Sequence, residues 1–174
     1  MEMEWVLENP TETIRRIFQG IADTRMLDFP LSNTALKVEA VGFQEWNGLW
    51  VGVLITPWSM LLLVQPKSNT DFRVLPLGPT QTWAFPSGPY DFFGLNEPGL
   101  GPTHMCSLFS PAFEFEDHEG AVMTAEEVMK ALFTPPTEVE VEEQLVEQAE
   151  TAKLEGKPIS EQPMSRRAFL RGGR

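Results

Sequence analysis

The chain has 174 residues, 42% of them apolar, with twelve Phe and five Trp. That is enough for one domain with an aromatic-rich core, held without disulfide or metal. The lone cysteine, Cys106, excludes an internal disulfide and any zinc or iron–sulfur centre built from several cysteines of the chain. A net charge of −12 argues against non-specific nucleic-acid binding and favours a basic partner, although acidity also serves solubility by itself.

The N-terminal stretch Met1-Glu2-Met3-Glu4-Trp5 carries acids where a secretory leader needs a basic region. The longest apolar run, Val51–Val64, is interrupted by Thr56, Pro57 and Ser59, so it is too broken to span a bilayer. A cytoplasmic protein without membrane insertion is expected.

The first predicted element is a helix over about residues 10–23. Asn9 suits the N-cap, Pro10 the first helical position and Glu12 the positive end of the dipole. Ile14, Ile17, Phe18 and Ile21 fall on one stripe. Leu36–Glu45 alternates, with Leu36, Val38, Ala40 and Gly42 on one side. Trp46-Asn47-Gly48 predicts a hairpin turn into a strand over Leu49–Thr56. Pro57 marks a bend, and a third strand runs from Met60 to Gln65. This nearly unbroken apolar stretch predicts the central, most buried strands.

Two shorter strands, Gln81–Phe85 and Tyr90–Leu95, flank the loop Pro86-Ser87-Gly88-Pro89. A last strand covers Thr103–Phe109 and stops at Pro111. Thr124 and Glu127 read as a capping box for a helix over Ala125–Phe133, closed by Pro135-Pro136. The connections are too short for helical crossovers. The fold class is therefore α+β, a mostly antiparallel meander sheet with an N-terminal and a C-terminal helix packed on it.

Residues 1–136 form the expected globular domain. Residues 137–163 form an acidic, aromatic-poor linker, read as disordered in preference to a marginal helix over 138–154. Residues 164–174 carry four Arg and no acid.

Few residues suggest catalysis. His104 and Cys106 share one face of a predicted strand, as a Cys–His pair or half a metal site would, but such neighbours more often pack. His118 is the only other histidine, so no soft-metal site closes within the chain and no cofactor is expected. The acids Glu114, Glu116, Asp117 and Glu119 lack the spacing of a calcium loop. They form either a solvated loop or a docking site for guanidinium groups. Trp58, beside the Pro57 bend, either fills the core or walls a peptide groove.

Three segments in order carry a family resemblance. Leu49-Trp50-Val51-Gly52-Val53-Leu54-Ile55-Thr56-Pro57-Trp58 resembles the W-x-G-x-x-ITPW segment of HybE/HupJ hydrogenase assembly chaperones. Phe85-Pro86-Ser87-Gly88-Pro89-Tyr90-Asp91-Phe92 is similar to the family's LP-x-G-x-Y-x-F stretch, and Cys106-Ser107-Leu108-Phe109-Ser110-Pro111 to its CSL-x-SP stretch. The likeness covers about residues 10–136. Rubredoxin-like C-x-x-C pairs, found in some HupJ-type proteins, are missing here, so iron chemistry of that kind is not implied.

The resemblance implies a non-enzymatic chaperone for maturation of an exported [NiFe] hydrogenase. It would bind the small-subunit precursor with its twin-arginine signal peptide, in some systems the large subunit, and other maturation proteins. The candidate peptide-contacting residues are Trp46, Trp50, Thr56, Pro57, Trp58, Phe109, Glu114, Glu116 and Asp117. A small-ligand-binding or catalytic domain using His104 and Cys106 is the alternative. The segment Ser165-Arg166-Arg167-Ala168-Phe169-Leu170 itself resembles a twin-arginine motif. It is either a basic end that balances the acidic linker or a tethered mimic of the client signal, through Arg166, Arg167, Phe169 and Leu170.

Overall fold

A computed structural model describes residues 3–155 of the chain. The element order is α1 (Thr11–Asp23), β1 (Glu39–Trp46), β2 (Leu49–Ile55), β3 (Met60–Pro66), β4 (Thr80–Phe85), β5 (Gly88–Leu95), β6 (Thr103–Phe109), α2 (His118–Leu132) and α3 (Glu138–Glu155). The strands form one sheet in the order β1-β2-β3-β6-β5-β4. The expected α+β class is therefore present, as two short meanders joined at β3 and β6. The link from β3 to β4 crosses to the far edge of the sheet, and β6 returns beside β3.

Asn47 and Gly48 both adopt positive φ (51° and 71°), the geometry of a tight two-residue hairpin whose twist matches the strands. Every residue of β2 and β3 is buried, as their apolar run predicts. Along β1, however, the alternation does not run straight through. The register shifts between Val41 and Gln44, and Gly42 takes φ 68°. This bulge adds one residue, so Phe43 joins Val38 and Ala40 on the same core cluster. Gly42 itself leaves the face predicted for it, and a Cβ there would stand 3.2 Å from Met129 Cγ.

Ile14 and Phe18 of α1 are buried against Phe43, Leu54, Leu61, Leu63 and Leu100, with Ile17 and Ile21 partly buried beside them. Burying each of the first two contributes about 1.5–3 kcal/mol. The cap sits one residue later than predicted. Pro10 holds the cap position and its carbonyl accepts from Ile14 N at 2.9 Å. Asn9 instead accepts from Thr11 N and donates Nδ2 to the Phe43 carbonyl at 3.2 Å, which ties the helix start to β1.

The second long helix begins seven residues before its predicted start. Asp117 Oδ1 accepts from Gly120 N at 2.7 Å and caps α2, whereas Thr124 lies inside the helix with its hydroxyl on the Gly120 carbonyl. A carboxylate at the N-terminus of a helix competes well with a hydroxyl for the free N–H groups.

The described residues divide into two compact units, one of residues 3–81 with Phe92–Met129, the other of Thr82–Asp91 with residues 130–155. In the second unit Phe85 meets Tyr90 and the edge of Phe133, each with ring centroids 6.0 Å apart. Ser87 N donates to the Leu132 carbonyl at 3.1 Å, and the Ser87 and Tyr90 hydroxyls lie 2.7 Å apart. The Phe85–Phe92 motif thus folds around a Pro86-Ser87 turn.

The acidic stretch predicted as a disordered linker is helical over Glu138–Glu155. Thr137 starts it with a complete capping box: Thr137 N donates to Glu140 Oε2 at 2.8 Å, and Glu140 N to Thr137 Oγ1 at 3.2 Å. The composition argument missed this local pairing. Among the described residues no helix is long and apolar enough to cross a membrane.

Candidate functional site

The Pro57 bend closes on itself through its neighbours. Thr56 Oγ1 accepts from Ser59 N at 2.9 Å and donates to the Ser59 carbonyl at 3.0 Å, while Thr56 N donates to the same carbonyl at 2.8 Å. Thr56 is fully buried and shapes the turn. Asn33 then fastens the bend to two other loops. Its N–H donates to the Pro57 carbonyl at 2.6 Å, and its Nδ2 donates to the carbonyls of Ala112 and Phe115 at 2.9 and 2.8 Å.

Beside this bend lies an apolar cleft of ≈ 380 Å³. Phe18 and Ile21 of α1 form one side, and Leu61 and Met105 of the sheet also line it. Met26, Leu95 and the half-buried Trp58 line it further. Trp58 also packs against the core cluster beneath, so it fills the core and walls the cleft at once. The polar residues on the lining include Ser59, Ser107 and Ser110 and one ion pair, Arg25 Nη2 to Glu97 Oε2 at 2.8 Å. Ser107 Oγ is shut off from solvent with no hydrogen-bond partner among the described residues.

The sequence-derived candidates separate into three groups. Thr56, Pro57, Trp58 and Phe109 gather at one end of the sheet, where Met60 pairs with Phe109. Phe109 meets the edge of Phe115 at 5.0 Å, on the loop that carries Glu114 and Glu116, both exposed. Asp117 is committed to capping α2. Trp46 and Trp50 lie towards the opposite end of β2, beside the Asn47-Gly48 turn. Trp50 and Thr56 are six positions apart, about 20 Å of strand. Trp50 is occupied there: Nε1 donates to the Val6 carbonyl at 2.7 Å and Lys67 Nζ lies 5.0 Å from its ring centroid. Arg166, Arg167, Phe169 and Leu170 lie outside the described residues.

Sequence reasoning missed Arg25 and Glu97, the charged pair of the cleft. Neither sits in a patterned segment: one follows a helix, the other lies in the Asn96–Pro102 loop. Only the fold brings these residues, 72 positions apart, together.

His104 and Cys106 project from the face of β6 opposite Met105 and Ser107. His104 is fully buried, stacked on Phe72 at 3.9 Å, with Nε2 2.6 Å from the Arg73 carbonyl. Burial pushes its imidazole below the usual range, and the carbonyl contact works in the opposite direction. The neutral ring therefore donates Nε2–H to that carbonyl and serves as a packing group. His118 accepts from Lys37 N at Nδ1, which leaves the proton on Nε2 facing Glu39 Oε1 at 3.1 Å. No three His, Cys, Asp or Glu side chains converge on a metal-sized site among the described residues.

Residues 9–172 match the family model described as "[NiFe]-hydrogenase assembly, chaperone, HybE". The chain belongs to this HybE family. Relatives within reach of direct comparison agree. Protein HoxT of Cupriavidus necator is 40% identical over 134 residues, covering 71% of this chain and 75% of that one. The hydrogenase expression/formation protein HupJ of Bradyrhizobium diazoefficiens is 36% identical over 156 residues, 89% of this chain and 83% of that one. The solution structure of HybE from Escherichia coli shares the fold, with a TM-score of 0.61 at 21% identity, over 78% of this chain and 85% of that one. As a HybE-family member the chain is a hydrogenase assembly chaperone by class.

The family's W-x-G-x-x-ITPW signature now has a physical reading in this chain. Trp50 anchors the N-terminal segment, Gly52 leaves room for the Phe43 ring, Thr56 and Pro57 form the bend, and Trp58 walls the cleft.

Proposed function

We propose that the chain acts in the cytoplasm by holding the signal-bearing precursor of a hydrogenase small subunit, and in turn the large subunit, until maturation permits export. The single observation that carries this reading is the Trp58 cleft. It is open, apolar and aromatic-walled, it borders one carboxylate, and it belongs to an acidic chain. A twin-arginine signal joins guanidinium groups to apolar residues, which is the chemistry such a cleft complements. Other maturation proteins, rather than nucleic acid or membrane, are the remaining partners on this reading. Calorimetry with the small-subunit precursor and with its mature form tests it. The precursor should bind at least several-fold more tightly, and equal affinities would remove the signal peptide from the proposal.

The basic tail, residues 164–174, competes for the same cleft on this reading. Arg166 and Arg167 supply the guanidinium groups, Phe169 and Leu170 the apolar ones, and tethering gives an effective concentration on the order of millimolar. Glu114 and Glu116, exposed and beside the bend, are suited to meet the pair. Exposed ion pairs are individually weak, so the competition is modest and screened by salt. A chain ending at Gln162 should bind a labelled twin-arginine peptide several-fold more tightly than the full chain at low salt. Exchanging Arg166 and Arg167 for Lys should give part of that gain. Coincident low-salt titrations would leave the tail as a solvated basic end.

A further inference from the structure

We infer that the Arg25–Glu97 ion pair is an exchangeable plug: Glu97 is the carboxylate that reads a guanidinium group of the bound peptide, and Arg25 occupies it until that peptide arrives. The inference rests on the reading that the cleft takes a basic, apolar peptide, and it names the residue that selects arginine.

Glu97 is the one carboxylate among the described residues lining the cleft. The pair is unequal. The Glu97 side chain is 18% exposed, whereas that of Arg25 is 61% exposed. The acid is therefore held by the fold, and the base is free to swing away into water. Their contact is a single hydrogen bond, Nη2 to Oε2 at 2.8 Å. A guanidinium can instead hold both oxygens of a carboxylate in a two-pronged pair. An arriving arginine that makes the two-pronged contact outcompetes Arg25, and the half-buried acid is never left without a cation. Because one ion pair replaces another, the exchange adds little desolvation cost. Apolar burial against Trp58, Ile21 and Met105 then drives binding. A lysine at the same place supplies a point charge without the fork and is held less well.

The test uses the full chain, its Arg25→Gln and Glu97→Gln variants, and two labelled synthetic peptides at low salt. One peptide carries Arg-Arg ahead of Phe-Leu, and the other carries Gln-Gln in place of the arginines. Thermal melts confirm that each variant is folded. In the wild-type chain the arginine peptide binds more tightly than the glutamine one. Arg25→Gln should tighten the arginine peptide about three- to tenfold and leave the glutamine peptide unchanged. Glu97→Gln should weaken the arginine peptide by about tenfold and erase the difference between the two. An arginine-to-glutamine preference that survives Glu97→Gln overturns the inference, as does an arginine affinity that Arg25→Gln fails to raise. Should Glu97→Gln not fold, the Arg25→Gln titration decides alone. If neither peptide binds the wild-type chain or the Arg25 variant, the peptide-cleft reading falls and this inference with it. Binding that ignores both substitutions leaves that reading standing and removes only the exchange.

Discussion

Replacing Trp58 by alanine is expected to weaken peptide binding by at least about 30-fold and to lower stability at the same time. A buried aromatic at the centre of an interface contributes about 2 kcal/mol or more, which corresponds to that factor. Fully buried Trp→Ala changes cost about 3–5 kcal/mol in stability. Trp58 is only half-buried, one part on the core cluster and the other facing the cleft, so about half that loss is expected. Trp58→Phe should recover most of both, since it keeps an apolar ring at the wall. Thermal denaturation and a peptide titration, run on the same samples, separate the two contributions. A loss of stability with unchanged affinity in the folded fraction would make Trp58 a core residue alone. No change in either would remove it from both roles.

The second large effect concerns Gly52, midway along β2 and paired with Leu63. A Cβ added there would stand 2.7 Å from Phe43 Cδ1 and closer still to Cγ and Cδ2. Phe43 is itself buried and placed by the β1 bulge, so its ring cannot simply swing into solvent. Overpacking of this kind costs about 1–3 kcal/mol and occasionally more, which exceeds the ~0.5–1 kcal/mol that alanine gains over glycine in a strand. Gly52→Ala should therefore destabilise the chain. Combining it with Phe43→Leu should cost less than the sum of the two single changes, because the second relieves the first. Gly20 supplies the opposite sign. It lies in α1, exposed, with nothing within 4 Å of an added Cβ. Gly20→Ala should stabilise by about 0.5–1 kcal/mol. Denaturant unfolding of the four variants, the double change included, measures all of this, and a neutral Gly52→Ala would show that the Phe43 ring yields freely.

Local chemistry made much of the fold legible. The Asn47-Gly48 turn, the proline bend and the apolar β2–β3 run each announce themselves within a few residues. What escaped was non-local or depended on a competition. The β1 bulge exists because Phe43 must reach the α1 side of the sheet, and no period-2 count shows an added residue. The start of α2 was decided between two good caps, Asp117 and Thr124, and the earlier acid prevailed. The far-edge position of β4 is set by strand pairing, which the sequence of any one strand does not encode. For the site, Trp58 and the bend were visible as a motif, whereas Glu97 and Arg25 were not. An isolated acid in a Gly/Pro loop carries no signal until a helix end is laid across it.

The crossing of the chain between β3 and β4 also dictates when the cleft can exist. Each meander is a run of neighbouring strands and can form quickly from local contacts. The seam between β3 and β6 is different: Leu62 pairs with Cys106, so roughly forty residues must be looped out before any contact there rewards the closure. Trp58 and Leu61 come from one side of that seam, and Glu97, Met105 and Ser107 from the other. A nascent chain still lacking β6 therefore holds only part of the cleft's lining. Once closed, a peptide lying across the seam ties the early half of the sheet to the late half. Under the proposed role, client occupancy becomes part of the chain's own folding equilibrium, and the protein is hardest to unfold while a peptide is bound.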